Sequence, residues 1–229
     1  MISICLSIGF RGAPLVAVAI SLFLVAALWP IDAHAQSQVR SDPCALGGPG
    51  PTTGPLAGLA QPAGSPGELL AMVEIPAGSA IKYELHEGSG RMEVDRFLAM
   101  PMAYPVNYGI LPCTLAEDDD ALDILLLSRF PVAPGSVIRV RPVGVLRMVD
   151  RGEEDHKILV VPVDAVDATW THVRTPDDLP AAELERIEAF FRVYKQLPDP
   201  TVQVGVGPWE GPDAARAIIE AALAAARRP

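Results

Sequence analysis

The sequence predicts a mainly β protein of the α+β class, in which short strands form a closed or nearly closed barrel and helices pack outside it. The first observation is a series of short apolar runs, broken by Gly, Pro or Ser, that begins near Glu68. The second is a pair of helical patterns that close the chain. The third is size, because 229 residues, half of them hydrophobic, suffice for one core with appendages. Many short strands followed by two helices are typical of this class.

The first 35 residues have the pattern of a secretory signal. A lone cation, Arg11, precedes an apolar run from Ala13 to Pro30, and Ala33 and Ala35 form the A-x-A arrangement of a signal-peptidase site. We therefore expect a signal peptide at 1–35, cleaved after Ala35, and a periplasmic or secreted protein without membrane contact after cleavage. Because the run is almost long enough to span a bilayer, an uncleaved N-terminal anchor is the alternative.

Residues 36–67 predict a linker ahead of a domain at 68–229. They are rich in Gly, Pro, Ser and Ala and lack an apolar period, which indicates a flexible tether or a coil laid over the domain surface. Of the three cysteines, Cys5 lies in the signal, Cys44 in the linker and Cys113 in the domain. An oxidising compartment would allow Cys44 and Cys113 to pair, but two cysteines leave the pairing open.

The predicted strands and helices follow in order along the domain. Alternation and β-branched content predict strands in LLAMVEIP, AIKYELHE and RMEVDRFLAM, the last two joined as a hairpin across EGSG. DILLLS, SVIRVRPVGVLRMVD and KILVVPV continue the pattern, with a bend in the long strand at Pro142–Gly144. PAAELERIEAFFRVYKQL carries one apolar helical stripe, and GPDAARAIIEAALAAARR consists of strong helix formers.

The excess of acidic over basic residues limits which partners are expected. Against 18 Lys and Arg stand 28 Asp and Glu, a formal net charge of −10. This balance argues against nucleic acid as a partner and suits a protein that binds cations.

The densest acidic segment is LAEDDDALDILLL, residues 115–127. Asp118 and Asp120 would share a face on extended backbone, and a turn or bulge would bring Asp123 to them. Converging carboxylates with few local bases are costly unless they bind a hard cation, and Mg²⁺ takes such oxygen ligands. A solvated acidic loop is the alternative. An EF-hand is excluded because its sixth position needs Gly and here holds Asp123.

Further charged and aromatic groups are spread along the chain. A second acidic group, VDRGEEDHKI, places Asp150 and Asp155 around a Gly turn, with Lys157 two residues beyond. Taken together, the chain offers carboxylates for several divalent ions and Lys, Arg and Tyr donors for a highly charged anion. Metal ions with Lys and Arg clamps are the equipment of phosphoryl transfer.

In order and spacing, these motifs resemble the soluble, family I inorganic pyrophosphatases. The resemblance covers roughly residues 68–226 and rests on EIPAGSAIKYE, VDRF, YPVNYG, EDDDALD, PGSVIRVRPVGVLRMVD, GEEDHK and FFRVYK. The family's D-x-D-x-x-D motif is matched by Asp118, Asp120 and Asp123. The resemblance implies a five-stranded OB-like closed β-barrel with flanking helices, two of them C-terminal. It also implies a homo-oligomer, commonly a hexamer in bacteria.

The resemblance further implies hydrolysis of inorganic pyrophosphate to two phosphates, with several Mg²⁺ ions per active site. Asp120 would orient and deprotonate a metal-bridging water that attacks one phosphorus. The metal ligands would be carboxylates: Asp118, Asp123, Asp150 and Asp155, with Glu74 and Glu84 at the edge of the cluster. The donors to phosphate oxygens would be Lys82, Arg96, Tyr108, Lys157, Tyr194 and Lys195, with Tyr104 supporting the site from behind.

Departures of two kinds, in residues and in location, set this chain apart from the family pattern. Asp119 stands where Gly is usual, Ala121 where Pro is usual, and Ile110 replaces a common aromatic residue. The secretory signal implies an exported enzyme, whereas members normally work in the cytosol. Two other functions stay open: an exported non-catalytic acidic domain that binds divalent cations or a partner, and a phosphohydrolase acting on polyphosphate or nucleotides.

Overall fold

The computed structural model describes residues 44–48, 56, 58–86, 89–197 and 199–227. The signal peptide predicted at 1–35 lies outside the described residues, as does part of the predicted linker. Within the described part of the chain, no helix is long and apolar enough to cross a membrane.

The described residues form nine strands, two α-helices and two short 3-10 turns. The strands are β1 (Leu69–Ile75), β2 (Ile81–His86), β3 (Arg91–Phe97), β4 (Asn107–Ile110), β5 (Asp123–Leu126), β6 (Val137–Asp150), β7 (Glu153–Glu154), β8 (Lys157–Pro162) and β9 (Val204–Glu210). The helices are α1 (Ala181–Val193) and α2 (Pro212–Ala225), and the 3-10 turns are Ala168–Trp170 and Pro176–Asp178.

Five of these strands form a ring. The order β1-β4-β5-β8-β6 closes on itself because β1 also pairs with β6. The β5–β8 pair is parallel, and the other pairs in the ring are antiparallel. Strands β7 and β9 each pair antiparallel with the C-terminal part of β6. Strands β2 and β3 form a separate antiparallel hairpin. The predicted mainly β, α+β fold is confirmed, and the ring matches the predicted five strands.

The two helices pack against different apolar clusters. Helix α2 buries Ala215, Ile219, Ala222 and Leu223 with side chains from alternate positions of β1, β5 and β8. Helix α1 buries Ile187, Phe190 and Phe191 in a second cluster. Because each buried Ile, Leu or Phe side chain stabilises the fold by about 1.5–3 kcal/mol, both helices are held firmly on the strands.

Strands β4 and β9 were not predicted from the sequence. Strand β4 is only four residues long and contains Asn107 and Gly109. Gly109 is required there, because a Cβ atom would lie 2.0 Å from the carbonyl oxygen of Met72 on β1. Strand β9 contains two glycines and Pro208, which weigh against a strand, and it pairs with β6 across a register shift between Leu146 and Met148.

Part of the predicted linker lies against the domain. We call its described residues, 44–48, 56 and 58–67, the N-terminal strap. Gln61 is fully buried, Leu46 packs on the α2 cluster, and the backbone N–H of Gly47 donates to the carbonyl of Gln61. Cys44 forms a disulfide with Cys113, with Cα atoms 5.4 Å apart. The strap is therefore bonded to the segment between β4 and β5.

Candidate active site

A cleft of about 850 Å³ opens where the ring, the β2–β3 hairpin and the end of α1 meet. Every residue that the sequence singled out for the site lines it: Glu74, Lys82, Glu84, Arg96, Tyr104, Tyr108, Asp118, Asp120, Asp123, Asp150, Asp155, Lys157, Tyr194 and Lys195. Segments more than 100 residues apart in the chain thus contribute to one wall. The structure brings the whole predicted set together.

Strand register explains how several of these side chains meet. On the hairpin, Lys82 stands opposite Arg96, and Glu84 follows two residues along β2 on the same face. In the ring, Asp123 begins β5 and Lys157 begins the neighbouring β8, so the parallel pairing sets both at one edge. Because strand ends that pair in register lie close, the edge concentrates charge.

The acidic loop, which we define as residues 115–122, is a turn and not the extended segment on which two carboxylates would share a face. Asp119 has a positive φ of 63° at its tip. The side chain of Asp118 accepts from the backbone N–H of Asp120 at 3.3 Å, and Asp120 accepts from Ala121 at 2.8 Å. The turn therefore exposes its carboxylates at the cleft.

Lysine ammonium groups pair with the deeper carboxylates. Lys157, only 1% exposed, contacts both Asp123 and Asp155, and Lys195 contacts Asp150. The other carboxylate oxygen of Asp150, Oδ1, is buried and has no hydrogen-bond partner among the described residues. Since a buried carboxylate oxygen without a partner is costly, this atom is suited to a cation ligand.

Burial shifts the titration of the carboxyl groups. Desolvation raises the pKa of Glu74 to about 7, although the backbone N–H of Leu85 opposes the shift by donating to its Oε1 at 3.0 Å. Burial also raises the pKa of Asp123, and the ammonium of Lys157 partly opposes it. For Lys157, burial lowers the pKa, but Asp123 and Asp155 more than compensate and raise it. Lys157 therefore stays charged.

An aromatic wall closes the inner side of the cleft. The ring of Phe190 lies 4.8 Å from Tyr104 and 5.0 Å from Tyr194, centroid to centroid. Tyr104 contacts Tyr108 edge-on at 5.6 Å. Burial raises the pKa of Tyr104, Tyr108 and Tyr194. These phenols consequently stay neutral at physiological pH and can donate hydrogen bonds to an anion.

The donor set fits a hard divalent cation. Nine acidic side chains line the cleft against five basic ones. Among the described residues, however, no three His, Cys, Asp or Glu side chains already lie close enough together to hold one ion. The deeper carboxylates turn towards Lys157 and Lys195 instead, so an ion would share them with these ammonium groups. Carboxylate oxygens suit Mg²⁺ or Ca²⁺. The described residues that line the cleft offer no set of thiolate or imidazole ligands for metals that prefer them.

Sequence reasoning missed several residues that line the cleft: Leu56, Thr114, Arg151 and Glu153. Arg151 and Glu153 lie in the turn between Asp150 and Asp155, so their position could have been inferred from those two neighbours. Leu56 belongs to the strap and Thr114 to the segment before the acidic loop. Neither carries a local sequence signal for a site.

Comparisons with known proteins agree with this geometry. A family model described as inorganic pyrophosphatase matches residues 71–227. The inorganic pyrophosphatase of Pseudomonas aeruginosa is 48% identical over 167 residues, covering 72% of this chain and 95% of that protein. That of Aquifex pyrophilus is 48% identical over 146 residues, covering 64% of this chain and 82% of that protein.

Solved structures agree as well. An inorganic phosphatase from Anaplasma phagocytophilum has a TM-score of 0.72 at 42% identity and covers 74% of this chain and 99% of its own. The inorganic pyrophosphatase of Thermus thermophilus has a TM-score of 0.71 at 35% identity, covering 74% of this chain and 97% of its own. From the family match, these identities and the assembled cleft, the chain belongs to the inorganic pyrophosphatase family.

Proposed function

We propose that this protein hydrolyses inorganic pyrophosphate to two phosphates, with Mg²⁺ as cofactor, outside the cytosol. One observation carries the proposal. In a chain of this family, all the proposed carboxylates and all the proposed phosphate donors line a single cleft. Relatives that are 48% identical are named inorganic pyrophosphatases.

The carboxylates provide the cation ligands. Mg²⁺ would be held by Asp118, Asp123, Asp150 and Asp155, with Glu74 and Glu84 at the edge. When bound, Mg²⁺ supplies positive charge opposite the phosphate oxygens and lowers the pKa of water in contact with it. Oδ1 of Asp150, which has no hydrogen-bond partner among the described residues, is free to contact this cation.

The side chains of this chain do the remaining work. Asp120 is exposed at the cleft, and within the described part of the chain its carboxylate accepts only the N–H of Ala121, through Oδ1. It can therefore orient a water molecule and accept its proton. Lys82 and Arg96, opposite each other on the hairpin, bind phosphate oxygens from one side. Lys157, Lys195 and the neutral phenols of Tyr108 and Tyr194 bind them from the other side. Together they stabilise the charge that develops on the departing phosphate.

A phosphate-release assay tests the activity. The purified protein is supplied with pyrophosphate in Mg²⁺ or in chelator, alongside Asp120→Asn. The matched control is Glu117→Gln, an exposed acid of the same loop that does not line the cleft. We expect Mg²⁺-dependent release that falls by roughly 10²–10⁴-fold in Asp120→Asn and persists in the control. No release with any divalent metal from folded protein would instead support a non-catalytic cation-binding domain.

The same assay separates related substrates. Tripolyphosphate and ATP are offered at the same concentration as pyrophosphate. Lys82 with Arg96 on one side of the cleft and Lys157 with Lys195 on the other favour a substrate with two phosphates. We therefore expect pyrophosphate to have the highest kcat/KM. Faster hydrolysis of the longer phosphates would assign the protein to polyphosphate or nucleotide substrates.

Export and assembly complete the proposal. The pattern at 1–35 supports a periplasmic or secreted enzyme. Fusion of the full chain to a reporter that is active only outside the cytosol tests this, and an inactive but intact fusion would contradict it. A homohexamer is proposed from the family resemblance, and sedimentation of the purified protein measures it.

A further inference from the structure

The N-terminal strap is bonded to the segment that leads into the acidic loop. The Cys44–Cys113 disulfide joins residues 69 positions apart. Cys113 is buried and has a positive φ of 60°. Residues other than Gly adopt this conformation rarely, so the surroundings must hold Cys113 in place.

A buried amide clamps the residue next to Cys113. Nε2 of the fully buried Gln61 donates to the carbonyl oxygens of Pro112 at 2.9 Å and of Leu70 at 2.8 Å. Its Oε1 accepts the backbone N–H of Leu70 at 2.9 Å. Because a buried amide is costly when unpaired, these three bonds fix Pro112 against the start of β1.

The residue after Cys113 closes the base of the acidic loop. The hydroxyl of Thr114 donates to the carbonyl of Leu111 at 2.6 Å and accepts the backbone N–H of Leu122 at 2.9 Å. The backbone N–H of Leu115 donates to the carbonyl of Ala222 on α2 at 3.1 Å. The strap and α2 therefore hold the loop at its base.

The tip of the loop has no comparable support in the described structure. Asp118, Asp119 and Asp120 are exposed, and within the described structure their hydrogen bonds connect only residues 116–121. Order at the tip must come from the base. A change at Cys113 or Pro112 would thus be transmitted to the carboxylates of Asp118 and Asp120.

We infer that the strap is a positioning element of the acidic loop, and that the oxidised Cys44–Cys113 pair sets how tightly the cleft binds Mg²⁺. The inference rests on the proposed function, because it assigns the loop carboxylates to the cation. A dithiol reductant transfers two electrons and two protons, so both cysteines become thiols while the reductant becomes a disulfide. The base of the acidic loop is then no longer tied to the strap and samples more conformations. Mg²⁺ binding must order it, which lowers the affinity.

Isothermal titration calorimetry with Mg²⁺ alone tests the inference. All proteins carry Cys5→Ser, so that thiol exchange is confined to the pair. Reduction by dithiothreitol, verified by titration of two free thiols, is expected to weaken Mg²⁺ binding roughly fivefold or more. Reoxidation restores the affinity. Cys44→Ser is expected to bind as weakly as the reduced protein and to ignore the reductant.

Two controls separate positioning from general stability. Gln61→Leu keeps the disulfide but removes the clamp on Pro112, and it too is expected to weaken Mg²⁺ binding. Val173→Ala removes a buried side chain that contacts neither the strap nor the acidic loop. It lowers the melting temperature but should leave Mg²⁺ affinity unchanged.

The outcomes are distinguishable. If the oxidised protein neither binds Mg²⁺ nor releases phosphate, the proposed function fails. If it does both and reduction leaves the affinity unchanged, this inference alone fails. Loss of the whole fold on reduction, seen by near-UV circular dichroism, also overturns it, because the disulfide would then be a global stabiliser.

Discussion

Glu74 offers a quantitative test of the cleft's electrostatics. It is 7% exposed, and its pKa rises from the ordinary 4.5 to about 7, chiefly because burial penalises the charged form. Between about pH 4.5 and pH 7, Glu74 of the folded, metal-free protein therefore holds a proton that it has released in the unfolded chain. By linkage, its contribution to stability is present at low pH and is lost as pH rises from about 4.5 through 7.

The size of the effect follows from the shift. At about 1.36 kcal/mol per pKa unit, the rise costs about 3 kcal/mol once Glu74 is fully ionised. Gln at this position cannot ionise but keeps an oxygen that accepts the N–H of Leu85. The free energy of unfolding of Glu74→Gln, relative to wild type, is thus expected to rise by about 2–3 kcal/mol between about pH 5 and pH 8.5.

Urea unfolding in the presence of chelator measures this difference at each pH. Comparing variant with wild type cancels the groups that the two proteins share. Glu84→Gln serves as control, since it removes one carboxylate from the same cleft but from an exposed side chain. A stability difference for Glu74→Gln that stays constant within about 0.5 kcal/mol would refute the desolvation argument.

Three further predictions concern single residues and are measured by urea unfolding in chelator. Lys157→Met leaves Asp123 and Asp155 without their buried cation and should lower the free energy of unfolding by about 3–5 kcal/mol. Lys195→Met, at the more exposed pair with Asp150, should lower it less, and equal losses would contradict this reasoning. Gly adopts the positive φ of 63° at position 119 readily, so Asp119→Gly should change the free energy of unfolding by less than about 1 kcal/mol. Asp119→Val should lower it by about 1–2 kcal/mol, and equal effects of the two variants would argue against a left-handed residue there. Gly109→Ala places Cβ against Met72 and should cost about 1–3 kcal/mol or more, unlike Gly205→Ala, whose Cβ would meet only Val149 at 3.6 Å or beyond.

The sequence allowed the site to be predicted better than the parts that hold it. Asp118, Asp123 and Lys157 could be identified because their spacing and order along the chain are matched by a known family. Strand β9 could not, because Pro208 and two glycines oppose a strand locally and only pairing with β6 overrides them. The same limit applies to Gln61, whose partners Leu70 and Pro112 are brought to it by the fold.

The position of Lys157 also explains how two half-buried carboxylates, Asp123 and Asp155, can stay available to a cation. Burial raises the pKa of Asp123, and a second carboxylate beside it raises the pKa further. Without a neighbouring positive charge Asp123 would take up a proton more readily, and that proton would compete with the proposed Mg²⁺ for the same oxygens. The ammonium of Lys157 opposes this uptake and contacts both carboxylates. The lysine thus opposes protonation of Asp123 in the metal-free protein, and it lies beside Tyr108, 5.5 Å from the ring centroid, where the proposed function places a phosphate donor.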